Sequence, residues 1–248
     1  MLKETFNLDI TTFKLIKISQ KVENEFIGVE TGIMDQFIVG YGEKNKAVLL
    51  DTTTLEYTMI PIDLKDYKFI IMDSNKQRKL TESNYNLRHK ECKQALLELQ
   101  EFIPISFLTE LTPKKFDEYR KYLSSSKLEK RVQHVMNENI RTKNAAKALI
   151  DEDLKKFGLL MNESHISLRD NYEVTGKELD TLVEAAWSQK GTLGARMTGA
   201  GFGGSAIALV LDTQIKSFIK NVRKEYKMKI GYFPDFYITE ISDGAKIL

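Results

Sequence analysis

Cysteine occurs once in this chain, at Cys92. That excludes an intrachain disulfide and any metal centre built on several thiolates, and a reducing compartment is expected. An excess of one charge sign is also missing. The 37 basic and 35 acidic residues are interspersed and leave a net charge of +2. A nucleic-acid binder would gather basic charge on one face, so that class is not expected. No apolar run approaches the ~18 residues that a membrane span needs. The opening "MLKETFNLDI" lacks the apolar core and small-residue cleavage site of a secretory signal. Repeats and low-complexity tracts are absent too. The expectation is a soluble, cytoplasmic protein with neither a membrane nor a nucleic acid as partner.

What is present is the composition of a folded globular chain, 42% hydrophobic and 29% charged over 248 residues. That length fits one large domain or two modest ones. Leu15, Ile18, Val22 and Phe26 are spaced for one face of a helix over residues 12–26. "AVLLDTTTLEYTMIPI" reads as two strands around a threonine turn, and "YKFIIMDS" as a third strand. A helix begins near Asn84 and carries Tyr85, Cys92, Leu96, Leu99 and Ile103 on one side until Pro104. Thr112 then caps a helix with Pro113 at its first position.

Helices over 127–150, capped by Ser126, and over 152–168 follow, then one over 178–188 that places Trp187 in the core. A strand, the strand "SAIALVLD", a helix to about Tyr226 and the strand "DFYITEI" complete the chain. The plan is α+β, with a division near residues 104–112. His89, His134 and His165 lack metal-ligand spacing and read as surface or packing residues.

Five of the fourteen glycines crowd into "GARMTGAGFGG", Gly194 to Gly204. Gly199, Gly201 and Gly204 match G-x-G-x-x-G, but a strand-like stretch follows where a dinucleotide fold needs a helix. A phosphate loop of the Walker type would end Gly-Lys-Ser/Thr, and this one ends Gly203-Gly204-Ser205. Two or three glycines suffice for a turn between strands. Five imply that something approaches the backbone closely, and a phosphate cradled by N–H groups is the usual reason. Upstream, "TGIMDQF" sets Asp35 in an apolar run just past Gly32, a position open to a helix-start acid or a catalytic base.

Taken together, "ENEFIGVETGIMDQF", "MDSNKQRKLTESNYNLRHKEC", "MNESHISLRDNYEVTGKELD" and "GARMTGAGFGG" resemble the galactokinases, a branch of the GHMP small-molecule kinases. The resemblance runs from about Phe6 to Leu248. It implies an N-terminal part like domain 2 of ribosomal protein S5, here residues 1–104, and a ferredoxin-like C-terminal domain, residues 105–248. It implies transfer of the ATP γ-phosphoryl group to the C1 hydroxyl of galactose, with Mg2+.

The family's catalytic aspartate matches Asp35, which would accept the sugar's proton. The galactose-contacting glycine matches Gly32, and the aromatic wall of the sugar site matches Tyr85. The magnesium-side carboxylate matches Glu23, with Glu25 close by. The phosphate-side loop matches Gly199, Gly201, Gly203 and Gly204. Ser205 stands where the family has cysteine.

Two family signatures, G-R-x-N-L-I-G-E-H-T-D-Y and P-x-G-x-G-L-S-S-S-A, do not occur in this sequence. The resemblance therefore places Met1 inside the family's polypeptide, with roughly its first third outside this sequence. The lost stretches would supply an arginine beside the base, most galactose contacts and the serine-rich phosphate loop. Because catalysis by positioning needs every side of a site, the chain alone is expected to turn over very slowly or not at all. An unpaired sheet edge is expected as well, met by self-association or by a separate N-terminal fragment. Other readings are a non-enzymatic remnant or sugar sensor on the same fold, and a kinase for another sugar such as N-acetylgalactosamine.

Overall fold

A computed structural model describes residues 2–28, 31–76 and 81–246. It forms two compact units, Met1–Asp63 with Glu240–Leu248, and Leu64–Thr239. No helix among the described residues is long and apolar enough to cross a membrane.

The first unit opens with α1 (Leu2–Thr5) and α2 (Thr12–Lys21), whose start is capped by the Thr11 hydroxyl accepting from the Lys14 amide at 3.2 Å. The coil then widens to a π-helical turn, Val22–Ile27, which ends at Gly28 with φ 84°. The helix expected over 12–26 is thus real, but its last turn is over-wide. α3 (Met34–Tyr41) follows. Ile16, Ile33 and Phe37 form the buried cluster of this unit, with Phe13, Tyr41, Val48 and Leu50 packed against it.

Strands β1 (Lys46–Leu50) and β2 (Tyr57–Pro61) pair antiparallel and turn at the threonines, as expected. There Asp51 Oδ1 accepts from the amides of Thr53 and Thr54. The end of the chain belongs to this unit. Gly244 and Ala245 donate amides to the carbonyls of Gly42 and Val39, at 2.8 and 2.7 Å.

The second unit runs β3 (Tyr67–Asp73), α4 (Thr81–Gln100), α5 (Pro113–Tyr119), α6 (Ser126–Ile150), α7 (Leu154–Ser167), α8 (Lys177–Trp187), β4 (Thr192–Met197), β5 (Ser205–Leu211), α9 (Ile215–Ile230) and β6 (Asp235–Thr239). Its four-stranded antiparallel sheet has the order β4-β5-β3-β6. Side chains alternate across a strand, so Ile70, Met72, Ala206, Ala208 and Val210 share one face. They bury against α8 and α9 through Leu179, Leu182, Phe218 and Val222. Phe69 and Ile207 point to the other face. A second core joins α4 to α6 through Ala95, Leu99, Val132 and Met136.

The compact units part at residues 63/64 and 239/240, whereas the sequence divides most naturally at 104/105. The reason is β3, which pairs with β5 and β6 far along the chain and carries residues 64–104 into the second unit. Thr112 caps α5 as expected, accepting from the Lys115 amide. The cap of α6 shifts by one residue from Ser126 to Ser125, because Ser125 holds the extended backbone that lets its hydroxyl reach the Leu128 amide. Trp187 is only partly buried, its ring against the sheet core and its indole N–H on the Ala195 carbonyl at 3.0 Å.

Candidate functional site

Thr31 organises the site of the first unit. Its amide donates to Asn24 Oδ1 at 3.0 Å, its hydroxyl to Glu23 Oε2 at 2.7 Å, and its carbonyl accepts from Gln20 Nε2 at 3.2 Å. Those bonds tie the end of α2 and the π-helical turn to the loop that enters α3. A π-turn is a familiar device for turning one side chain toward a site, and here the residue so placed is Glu23. Gly32 follows Thr31 on the exposed loop. Ile33 and Phe37 are buried at 5% and 1% exposure, which turns Asp35, in the first turn of α3, outward to solvent. A carboxylate there is also favoured by the helix dipole.

Glu23 and Asp35 line one cleft of about 550 Å³, together with Thr12, Ser19 and Gln36. Glu25, the alternative to Glu23, instead pairs with Lys21 on the surface at 3.5 Å. Gln36 Oε1 is buried and, among the described residues, has no hydrogen-bond partner. The cleft therefore carries two carboxylates, two hydroxyls, the Gln36 amide and the side chains of Lys3 and Lys246. This set suits a polar, hydroxyl-bearing ligand.

The glycine loop lies in the second unit, between β4 and β5. Gly199, Gly201, Gly203 and Gly204 all have φ between 77° and 127°, and Phe202 has φ 58°. The Phe202 amide donates to the Val174 carbonyl at 2.7 Å, and the Ser74 amide donates to the Gly204 carbonyl at 2.9 Å. A Cβ on Gly201 would stand 2.1 Å from that Val174 oxygen, so only glycine fits. Among the described residues no acceptor meets the amides of Gly199, Ala200 or Gly201. Successive free amides of this kind make an anion-binding concavity. Gly194, at the head of the same motif, has a different task. A Cβ there would lie 2.1 Å from the Gly158 carbonyl oxygen, so it lets β4 pack directly on α7.

Two residues, one in each unit, escaped the sequence reading. Lys76 extends its carbons along Gly203 and places its ammonium 2.9 Å from Glu178 Oε2, so a cation flanks the loop. Thr31 stands directly before Gly32 in "TGIMDQF", and a hydroxyl beside a motif glycine was the available signal.

An ion network supports the loop from behind. Arg131 is fully buried; its Nε donates to Glu91 Oε2 at 2.7 Å, its Nη2 to Glu173 Oε2 at 2.8 Å, and its Nη1 to the Asn171 carbonyl. Arg88 adds bonds to Glu91 and to the carbonyls of Tyr172 and Glu173. The Arg131 guanidinium holds the Glu173 carboxyl below its usual range. Val174, which receives the Phe202 amide, is the next residue along. Tyr85 lies on α4, but its side chain falls outside the described residues.

The histidines are packing residues where they are buried. His134 stacks on Tyr172 at 4.4 Å with Nδ1 2.8 Å from the Ser167 hydroxyl, and burial pushes its pKa down to about 3. His165 is fully buried, and its Nδ1 accepts the Met197 amide at 3.2 Å. Among the described residues no group of three or more His, Cys, Asp or Glu could by itself hold a metal ion.

The family description for the GHMP kinases N terminal domain matches residues 1–43, and that for the GHMP kinases C terminal matches residues 145–227. The chain belongs to the GHMP kinases and has their fold. Within that family it is similar to galactokinases along its whole length. It is 52% identical to the galactokinase of Ligilactobacillus salivarius over 99% of this chain, and 49% identical to that of Streptococcus mutans over 100%. It superposes on the Lactococcus lactis galactokinase complexed with galactose with a TM-score of 0.96 at 48% identity. Leishmania (L. major) mevalonate kinase shares the fold alone, with a TM-score of 0.61 at 21% identity. The chain spans 64% of the length of these galactokinases and 63% of the mevalonate kinase.

Proposed function

We propose that this chain carries the sugar-side base and one phosphate-side loop of a galactokinase-type enzyme. The observation that carries the reading is Asp35, solvent-facing on the first turn of α3 and sharing a cleft with Glu23, within a chain about half identical to galactokinases throughout. In the proposed reaction the C1 hydroxyl of galactose gives its proton to the Asp35 carboxylate. Its oxygen forms a bond to the γ-phosphorus of ATP, the bond from that phosphorus to the β,γ-bridging oxygen breaks, and ADP leaves. Gly32, free of side chain and exposed, lets the sugar approach the backbone, and Tyr85 supplies an aromatic wall. The free amides of the glycine loop and the Lys76 ammonium face phosphate charge.

Mg2+ belongs to this reading as a neutraliser of phosphate charge. It commonly takes one or two carboxylates and otherwise phosphate oxygens and water. Glu23 fits that demand, because the Thr31 hydroxyl fixes only Oε2 and leaves Oε1 for the cleft. A cytoplasmic setting is part of the reading, supported by the single cysteine. So is a polypeptide partner, a separate fragment or a second copy, that covers the apolar side chains Phe26 and Met34, exposed at 88% and 61%.

The test is ATP-dependent phosphorylation of galactose by the chain alone and mixed with a polypeptide bearing both missing signatures, beside Asp35→Asn. The mixture should turn over, the chain alone should be slow or silent, and loss of the base should cost about 10²–10⁴ in rate. Equal rates for Asp35→Asn would remove the base from the mechanism. Galactose binding with no turnover in any mixture would favour a sugar sensor instead.

A further inference from the structure

The second unit contains a cavity of about 260 Å³ that the phosphotransfer reading leaves unused. It lies on the sheet face away from α8 and α9, between Arg196 of β4, Ile207 of β5, Phe69 of β3 and the helices α6 and α7. Its polar end is unevenly charged. Glu138 is fully engaged, with Oε1 taken by Arg141 Nη1 and Oε2 accepting the Ser164 hydroxyl at 2.6 Å. Arg141 is neutralised by that contact and reaches Glu163 Oε2 at 3.4 Å. Arg196 is not neutralised. Its Nε donates to the Met197 carbonyl at 3.0 Å, and among the described residues no carboxylate pairs with it. Burial, with the Arg141 charge nearby, pulls its pKa down to about 10, while the side chain keeps partial exposure.

A guanidinium presents a planar fork of N–H donors that fits two oxygens of a carboxylate side by side. Both terminal nitrogens of Arg196 are free for that. The other end of the cavity is apolar, with Phe69 and Phe157 edge-to-face at 6.4 Å beside Leu160 and Met161. An apolar cavity of about 150 Å³ already lodges benzene. We propose that this cavity binds a small organic carboxylate with an apolar or aryl body, its carboxylate on Arg196 and its body against the apolar wall of Phe69, Phe157, Leu160 and Met161. The site lies wholly inside the second unit and is independent of the kinase reading.

The probe is benzoate, titrated into the purified chain by NMR while the methyl signals of Ile207, Leu160 and Met161 are followed. Benzyl alcohol serves as the uncharged control and inorganic phosphate as the anion without a body. Benzoate should saturate with those methyls shifting together, and benzyl alcohol and phosphate should each bind about 10-fold more weakly or worse. Arg196→Met should weaken benzoate by at least about 10-fold, and Ala145→Phe, which fills the cavity while leaving Arg196 in place, should abolish it. The proposal is overturned by linear, non-saturating shifts, by shifts confined to other residues, or by either folded variant binding benzoate as well as the parent. Equal binding of benzyl alcohol would overturn the role of Arg196 even if both variants failed to fold.

Discussion

The two units hold their motifs in opposite ways. In Met1–Asp63 with Glu240–Leu248 the buried cluster is Ile16, Ile33 and Phe37, and the site residues are fixed by single hydrogen bonds centred on Thr31. Large apolar side chains of that unit, Phe6, Phe26 and Met34 among them, face solvent. In Leu64–Thr239 the glycine loop is backed by a sheet core and by a buried arginine that clamps α4, α6 and the turn before Val174. A motif in a thin core depends on a few polar bonds, and one on a thick core depends on packing and charge pairing. The two should fail differently.

The largest expected effect is in the second unit. Arg131→Met leaves Glu91, 8% exposed, with Arg88 as its remaining cation. Removing one partner of a buried pair strands the other, at about 3–5 kcal/mol. Trp187 is the chain's single tryptophan and packs against this unit's core, so its fluorescence during denaturant unfolding reads this unit directly. A loss below about 1 kcal/mol would mean that the network is decorative.

Next comes the loop itself. Gly201→Ala combines φ 82° with a Cβ 2.1 Å from the Val174 oxygen, and about 2–3 kcal/mol is expected. Gly199→Ala shares the strained φ of 77° but meets open space, so about 1 kcal/mol should suffice. The same fluorescence measurement separates strain from collision. Equal losses at the two positions would show that the Val174 contact does not fix the loop.

Much of the fold was legible because its signals are local. β-branched and aromatic runs marked β3 and β5, and Thr112-Pro113 announced α5. What escaped was non-local or depended on packing. The run "MDQFIVGY" contains β-branched residues, and the sequence suggested a helix there only through Asp35 as a possible helix-start acid, yet it is helical throughout. Phe37 and Tyr41 pack as tilted rings along one face at 5.0 Å and meet Tyr57 of β2 at 5.2 and 5.3 Å. Tertiary contact there outweighs propensity. "SNYNLRHKEC" and "RDNYE" were legible as strings, but the pairing of Glu91 and Glu173 through Arg131 spans forty residues or more and has no local trace. The crowd of glycines read as one loop, whereas Gly194 belongs to helix-on-strand packing.

The smallest effect tests the thin unit. Thr31→Val keeps the branched shape and deletes the hydroxyl bonds to Glu23 and Asn24, leaving the Thr31 amide and carbonyl bonds in place. A part-buried hydrogen bond is worth about 1 kcal/mol, enough to raise local opening about fivefold. Amide exchange at Phe37 of α3 should therefore quicken by that factor, while the Trp187 transition should not move. If the transition shifted and Phe37 did not, the contrast between the units would be wrong, since a bond confined to the first unit would be supporting the second. If neither moved, Glu23 and Asp35 would owe their common cleft to the π-helical turn and to Phe37 packing, and the hydroxyl would matter only for orienting Oε2.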